Sequence, residues 1–592
     1  MNGFVDYLNS TNNVGGNSSG SLAEIQVKSI YYDSIKVDRN LGKYISECVK
    51  KGQHKAFILT GHAGDGKTSI LVQVLKSLGR LKACEGLCEI KEYNDFYYCK
   101  DMSEIASNQQ VAVLHEALSA PARNRTSLLI SNTGPLLKTF ELLLKKDREN
   151  AGLEFSNEER LQLQSTLLTQ LDRNVDESVH IENYEFILVN IARVDNVPFA
   201  TQIMRNIISD NLWTECKTCT CADRCPIKNN RDIVSKNFDR VACFVDNFYR
   251  YLYENDKRMT IRQMVGQISY ALTGNLTCSY ISHKHLKEPF FNYNFANLFF
   301  GYRGLKKEKN ASRVKGIEQI QRLELDRIAL NIDYGIFVRH DYSCFSPSIQ
   351  EELKAIMSRY RKHYQVSDEE NVVNEKKQEE ESLLRRAVRR YYLFYSLAES
   401  SEDTDAIWNQ IYGEAYTDYR NLLLSKQTKS QLKKIQSIFF AALYVKNTGY
   451  LPDHNQKTLP LTLRREDDVF QNVMIMLGEV HKNDLEIIQI KTNSLFEDVT
   501  EKYNLFLRFG RADFALSLPM VSYFSELING AISSDNNPAL THGIAQLDTL
   551  LLEEFGDADD MDEESCELNV MINTTHGPQI ENFIFEDNEL HV

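Results

Sequence analysis

The sequence predicts an α/β fold: a parallel sheet covered by helices, then a helical region, then a smaller C-terminal α+β domain. Three observations predict it. Apolar runs without polar–apolar alternation, among them residues 56–60, 126–131 and 186–192, are separated by helical patterns, as in parallel strands buried on both faces. A glycine-rich loop follows the first of these runs and opens directly into a helical stretch. Strand-like runs return after residue 450, once a long helical interval has passed.

Taken in order, residues 10–21 (STNNVGGNSSGS) are rich in Ser, Asn and Gly and read as part of a flexible N-terminus over residues 1–22. Order is expected from about Ile25. Residues 36–51 place Leu41, Tyr44, Ile45 and Val49 on one side of a helix. The strand 56–60, the glycine loop and a helix over 68–78 come next. A strand at 96–102 (FYYCKDM), a helix at 109–118, the strand 126–131 (TSLLIS), helices at 136–145 and 158–171, and the strand 186–192 (FILVNIA) complete the α/β domain, assigned to 23–255. Residues 256–446 read as mostly helical, with 366–381 a solvated helix start or an exposed loop. Strand-like runs at 459–463, 474–477, 485–490, 505–509 and 514–518 mark an α+β domain over 447–552. Residues 553–592 are expected to be a linker, with eight acidic residues in 553–564, and a terminal strand or hairpin.

With 592 residues the chain is too long for one core, and roughly three to five units are expected. The net charge of −14, from 82 acidic against 68 basic residues, excludes a generally basic nucleic-acid binder but leaves room for a local basic face. Residues 1–10 lack the basic and apolar regions of a secretory signal. Apolar stretches such as 438–445 are only eight residues long, against about twenty for a membrane span. A cytoplasmic protein without a membrane segment is the expectation. Twelve cysteines are too sparse for a disulfide scaffold.

The loop GHAGDGKT, residues 61–68, satisfies the GxxxxGK[ST] pattern of a P-loop NTPase. Gly61, Gly64 and Gly66 let the backbone curl so that its N–H groups, including that of Asp65, face phosphate oxygens. Lys67 reaches the β- and γ-phosphates, and Thr68 offers a hydroxyl to Mg²⁺. Ser69 continues into a helix whose positive end adds to the site. ATP with Mg²⁺ is the expected ligand.

Hydrolysis needs an acid at a strand end. In FYYCKDMSE, Asp101 would sit near the metal and Glu104 would orient water. If that strand does not occupy the required position, TSLLISN fills it without an acid, and turnover would be slow or absent. Asn132 suits a polar sensor at a strand tip, with Asn190 the alternative; either could instead cap a turn. Arg262, opening a helix after Thr260, could reach back to the nucleotide or remain a surface arginine.

Cys216, Cys219, Cys221 and Cys225, followed by Pro226, lie within ten residues. Four thiolates at this spacing could wrap Zn²⁺ or, less readily, hold an iron–sulfur cluster. The alternative is a set of reduced thiols. Arg385, Arg386, Arg389 and Arg390 stand at helical spacing beside Tyr391 and Tyr392. They could grip DNA phosphates or a neighbouring copy's nucleotide in a homo-oligomer, although pairing with Glu379–Glu381 is the simpler reading.

The glycine loop, the LLISNTGPL strand, the FILVNIARVDNVPF segment and the Cys loop ending CPI, in that order, resemble the DptF component of phosphorothioation-dependent DNA restriction systems, over about residues 56–263. That family has an Asp-x-x-Glu strand, matched by Asp101 and Glu104, and a helix opening with Thr and Arg, matched by Thr260 and Arg262. Its Ile-Asn-x-Gly strand is matched only in part, by Ser131, Asn132, Thr133 and Gly134. The resemblance implies an AAA-like ATPase of bacterial anti-phage defence that works with other subunits on foreign DNA. A nucleotide-controlled switch without turnover, and a scaffold, are the competing readings.

Overall fold

The computed structural model describes residues 1–12, 27–173, 177–283, 290–364, 375–397, 401–463, 472–492, 495–499, 502–530, 538–556, 565–575, 577–586 and 589–591. Its centre is a 6-stranded sheet in the order β2-β3-β4-β1-β6-β5, with β1 Ala56–Thr60, β2 Ile90–Glu92, β3 Phe96–Cys99, β4 Thr126–Ile130, β5 Val179–Ile181 and β6 Tyr184–Asn190. Strands β3, β4, β1 and β6 are parallel, whereas β2 and β5 pair antiparallel at the two edges. The sheet is therefore mixed with a parallel core, and the fold is α/β. The short edge strands carry little apolar sequence, which is why periodicity did not reveal them.

Every residue of β1, β3 and β4 is buried. Successive side chains point to opposite faces, so each strand must be apolar throughout if helices cover both. On one face Phe57, Leu59, Ile130 and Val189 pack with Leu41 and Ile45 from the helix Asn40–Lys50 and with Ile70 and Val74 from Lys67–Ser77. On the other, Ile58, Leu129 and Leu188 meet Leu114 of Ser107–Ser119, Phe140 of Thr133–Asn150 and Leu167 of Asn157–Arg173.

The chain separates into two compact units. The first comprises Met1–Tyr253, Lys257–Asp403 and Asn493–Val499; the second comprises Glu254–Asp256, Thr404–Thr492 and Thr500–Val592. The division thus falls near 403 instead of at 255 and 446, because the helices after 257 pack with the sheet-bearing unit while those after 403 pack with later strands. The second unit holds an antiparallel 5-stranded sheet, formed by Thr458–Thr462, Val473–His481, Ser565–Thr574, Gly577–Glu586 and Glu589–His591, and a 3-stranded sheet of Glu486–Lys491, Tyr503–Phe509 and Ala512–Ala515. Residues 553–555 of the expected acidic linker end the helix Pro538–Phe555, and 557–564 lie outside the described residues.

The flexible N-terminus needs correction. Gly3–Thr11 is a helix, started by the Asn2 side chain accepting from the Phe4 N–H, and Phe4 and Leu8 are fully buried. Aromatic anchors outweigh the polar residues that follow; Phe4 meets Trp213 edge-on at 5.7 Å. Residues 13–26 lie outside the described residues. Of the 366–381 segment, Glu375 onward belongs to the helix Glu375–Tyr395, and the residues before it are not described.

The arginines on that helix are mostly internal. Arg390 is fully buried and donates to Asp326 at 2.6 Å, Arg386 reaches the other Asp326 oxygen at 2.8 Å, and Arg389 pairs with Asp333 at 2.5 Å. Only Arg385 pairs with Glu381, at 2.7 Å. Three of the four are therefore committed to carboxylates of the protein, the buried Asp326 and the half-buried Asp333, not to phosphates. Breaking such a network leaves an uncompensated charge inside the protein, so Asp326→Ala is expected to destabilise this unit by about 3–5 kcal/mol. Denaturant unfolding followed by circular dichroism reads this as a lowered midpoint, and an unchanged midpoint would show that the pair carries no weight.

Candidate functional site

The loop 61–68 leaves the C-terminal end of β1, the central parallel strand, and turns into the helix Lys67–Ser77. Gly61, Gly64 and Gly66 have φ of 141°, 95° and 92°, values that only glycine adopts without strain. The positive-φ backbone at Gly66 sits immediately before the first helical N–H groups, which have no partners within the helix. Such an end draws anions.

Lys67 is the charged centre. It is only 7% exposed, and its Nζ donates to the Gly61 carbonyl, to the His62 carbonyl at 3.3 Å and to Asn132 Oδ1 at 3.1 Å. Among the described residues no carboxylate lies within ion-pair distance of it. Burial pushes the pKa of its ammonium down, opposed by the negative charges of Asp101 and then Asp65.

Three strand tips converge on this lysine. Asn132 follows β4, next to β1, and its side chain serves Lys67 instead of capping the helix Thr133–Asn150. Asn190, at the end of β6, accepts from the Ala192 N–H and donates to the Leu171 carbonyl, so it is a turn cap and not a sensor. Beyond β4 lies β3, whose chain turns through Met102–Glu104 with the Asp101 carboxylate accepting from the Ser103 N–H at 2.9 Å. The Ser103 hydroxyl in turn accepts from the Asn132 N–H at 3.0 Å, tying the two tips together. The FYYC strand is thus separated from β1 by one strand, and both tips face the same cavity. Glu104 is half exposed and sits 3.4 Å from Lys100.

Asp65, fully buried in the loop, accepts from the His62 N–H at 3.0 Å and is paired with Arg258 at 2.7 Å. Just after Arg258, Thr260 starts the helix Ile261–Thr273 through a reciprocal cap with Gln263. The Arg262 N–H donates to the Gly64 carbonyl at 3.3 Å, and its side chain enters the cavity, where burial lowers its pKa.

That cavity measures about 290 Å³ and its lining is of two chemical kinds. The polar lining comprises the loop, Lys67, Thr68, Ser69, Asp101, Glu104, Asn132 and Arg262. The apolar lining comprises Tyr32, Ile35, Val37, Phe199, Ile203 and Val265. Sequence reasoning missed this second wall. Residues 36–39, expected to begin a helix, are extended, and the helix starts only at Asn40. Arg39 lies over the Phe199 ring at 4.4 Å and pairs with Asp498 at 2.7 Å. No local pattern links residues 32–39 with 199–203; only the tertiary fold does.

The cysteine loop, expected to hold a metal ion through Cys216, Cys219, Cys221 and Cys225, lies within the described residues. Among the described residues, no group of three or more His, Cys, Asp or Glu is placed to hold a metal ion. Cys216 accepts from the Asn2 amide at 3.6 Å, Cys221 faces Arg224 at 3.4 Å, Cys219 is exposed, and Cys225 precedes the helix Pro226–Lys236, its thiol pushed up to about 11 by burial. Among the described residues no helix is long and apolar enough to cross a membrane.

No family model, curated protein or solved structure matches this chain.

The mixed lining suits a ligand that carries both an apolar ring and a polyanionic group. Trimming the apolar wall by Ile203→Ala is expected to weaken such a ligand roughly tenfold through lost apolar contact. Inorganic triphosphate, which has no ring to meet the apolar lining, should bind equally to both proteins in calorimetry. An equal loss for both ligands would place the wall outside the binding site.

Proposed function

We propose that the first unit is a P-loop NTPase of AAA-like type that binds ATP with Mg²⁺ and hydrolyses it. One observation carries the proposal: a buried lysine ammonium, bonded among the described residues only to neutral oxygens at the mouth of a glycine loop, faces a cavity also lined by Asn132, Asp101, Glu104 and Arg262. A buried cation left without a carboxylate is costly unless an anion is its purpose. Triphosphate oxygens are such an anion.

In this reading the loop N–H groups and Lys67 hold the β- and γ-phosphates, and the Thr68 hydroxyl and Asp101 carboxylate are the oxygens suited to Mg²⁺. Asn132, already hydrogen-bonded to Lys67, would position the γ-phosphate. Glu104 would orient the attacking water, and Arg262 would offset charge as the phosphoryl group departs. The ring of the nucleobase would lie against Phe199, Ile203 and Val265.

The motif resemblance supports a cytoplasmic role as the ATPase subunit of a bacterial anti-phage DNA restriction complex, with other subunits making the main DNA contacts. The commitment of Arg386, Arg389 and Arg390 to Asp326 and Asp333 fits a protein that does not itself grip DNA along that helix. A nucleotide-controlled switch with little turnover is favoured by one feature, the pairing of Glu104 with Lys100, which would have to open before the carboxylate could orient water.

Purified protein is expected to hydrolyse Mg·ATP, with turnover raised by double-stranded DNA. Lys67→Ala should abolish saturable binding. Glu104→Gln should keep binding and lose roughly 100-fold or more in turnover, the usual weight of a general base. Tight binding without turnover in the unaltered protein would establish the switch instead, and absence of any nucleotide affinity would remove both.

A further inference from the structure

Resting on the reading of the loop as a triphosphate site, we propose that Arg258 is a positioning residue that keeps the loop competent for phosphate by neutralising Asp65 beneath it. Asp65 lies between two glycines of positive φ and is fully buried. A bare carboxylate there would repel a triphosphate held by the neighbouring backbone N–H groups. It also takes one of those N–H groups, that of His62, for itself. Arg258 removes the charge at 2.7 Å, and its second amino group donates to the Ile191 carbonyl at 3.3 Å, just past the end of β6. The loop is thus anchored to the sheet.

The same short segment touches the loop a second time. Beside Gly64 a Cβ would stand 3.0 Å from the Thr260 hydroxyl and 3.1 Å from the Arg262 Cβ, and the Arg262 N–H bonds the Gly64 carbonyl. Residues 258–262 therefore grip the loop at Gly64 and at Asp65 from one side. The helix that begins there brings Arg262 to the cavity. Arg258 itself does not line the cavity, so its influence on ligand passes through Asp65 and through the helix start.

Calorimetric titration of the full chain with Mg·ATP, Mg·ADP and AMP tests this. Arg258→Met should weaken Mg·ATP by about tenfold or more, the cost of unpairing one member of a buried charge pair. The loss should shrink from ATP to ADP to AMP, because repulsion scales with phosphate charge. Adding Asp65→Asn to Arg258→Met removes the stranded carboxylate and should recover most of the lost affinity. Arg258→Lys keeps the charge and is a milder change in case the Met variant does not fold; it should bind Mg·ATP within about threefold of the unaltered protein. The proposal is overturned by a Met variant that binds normally, a double variant with no recovery, an equal loss for all three nucleotides, or a tenfold loss in the Lys variant. Failure of the unaltered protein to bind any nucleotide would instead overturn the triphosphate reading, and this proposal with it.

Discussion

A single buried ammonium organises the first unit. Lys67 is held by the carbonyls of Gly61 and His62 and by the Asn132 amide oxygen, and no carboxylate pairs with it among the described residues. Neutral oxygens satisfy its hydrogen bonds without cancelling its charge. The positive potential at the mouth of the loop survives. Asp101 of the cavity lining and the buried Asp65 counter its burial through charge alone.

Around that lysine the sheet acts as a positioning device. Parallel strands end on the same side, so the tips of β1, β4 and β3 bring the loop, Asn132 and Asp101 into one place although 71 residues of sequence separate Gly61 from Asn132. Side-chain bonds between adjacent tips lock the arrangement. Thr60 meets Thr133 at 2.9 Å, and Ser103 accepts from the Asn132 N–H. Rigid elements hold a constellation more closely than free loops can.

Buried ion pairs recur in this unit, and each ties together distant stretches of chain. Arg258 meets Asp65, Arg250 meets Asp195, Arg39 meets Asp498, and Arg390 meets Asp326. Desolvation offsets much of the attraction in such pairs, so they are poor sources of stability. What they supply is register, because a buried charge accepts only its partner. The 495–499 segment shows this: Phe496 is fully buried among Leu41, Ile45 and Phe57, while Asp498 holds Arg39.

The sequence by itself determined what depends on neighbouring residues. GHAGDGKT needs its glycines at positive φ and its lysine at the start of a helix, and both are local geometry. AFILT, TSLLI and FILVN are mostly apolar, which marks parallel strands covered on both faces; FYYC was legible in the same way, although the strand expected to reach 102 ends at Cys99, before the turn Met102–Glu104. The cysteine spacing was equally local, but coordination depends on where four sulfurs point and not on how many residues separate them, and among the described residues no group of three ligands is assembled. Only the tertiary structure decided which strand lies between β1 and β3, that Asn190 caps a turn, and that the N-terminal polar stretch begins as a buried helix. It alone brought 32–39 and 199–203 together as one wall and set Arg258 under Asp65, 193 positions away. Short-range spacing encodes backbone shape, whereas contacts between distant segments arise from the packing of whole elements, and no window of sequence contains them.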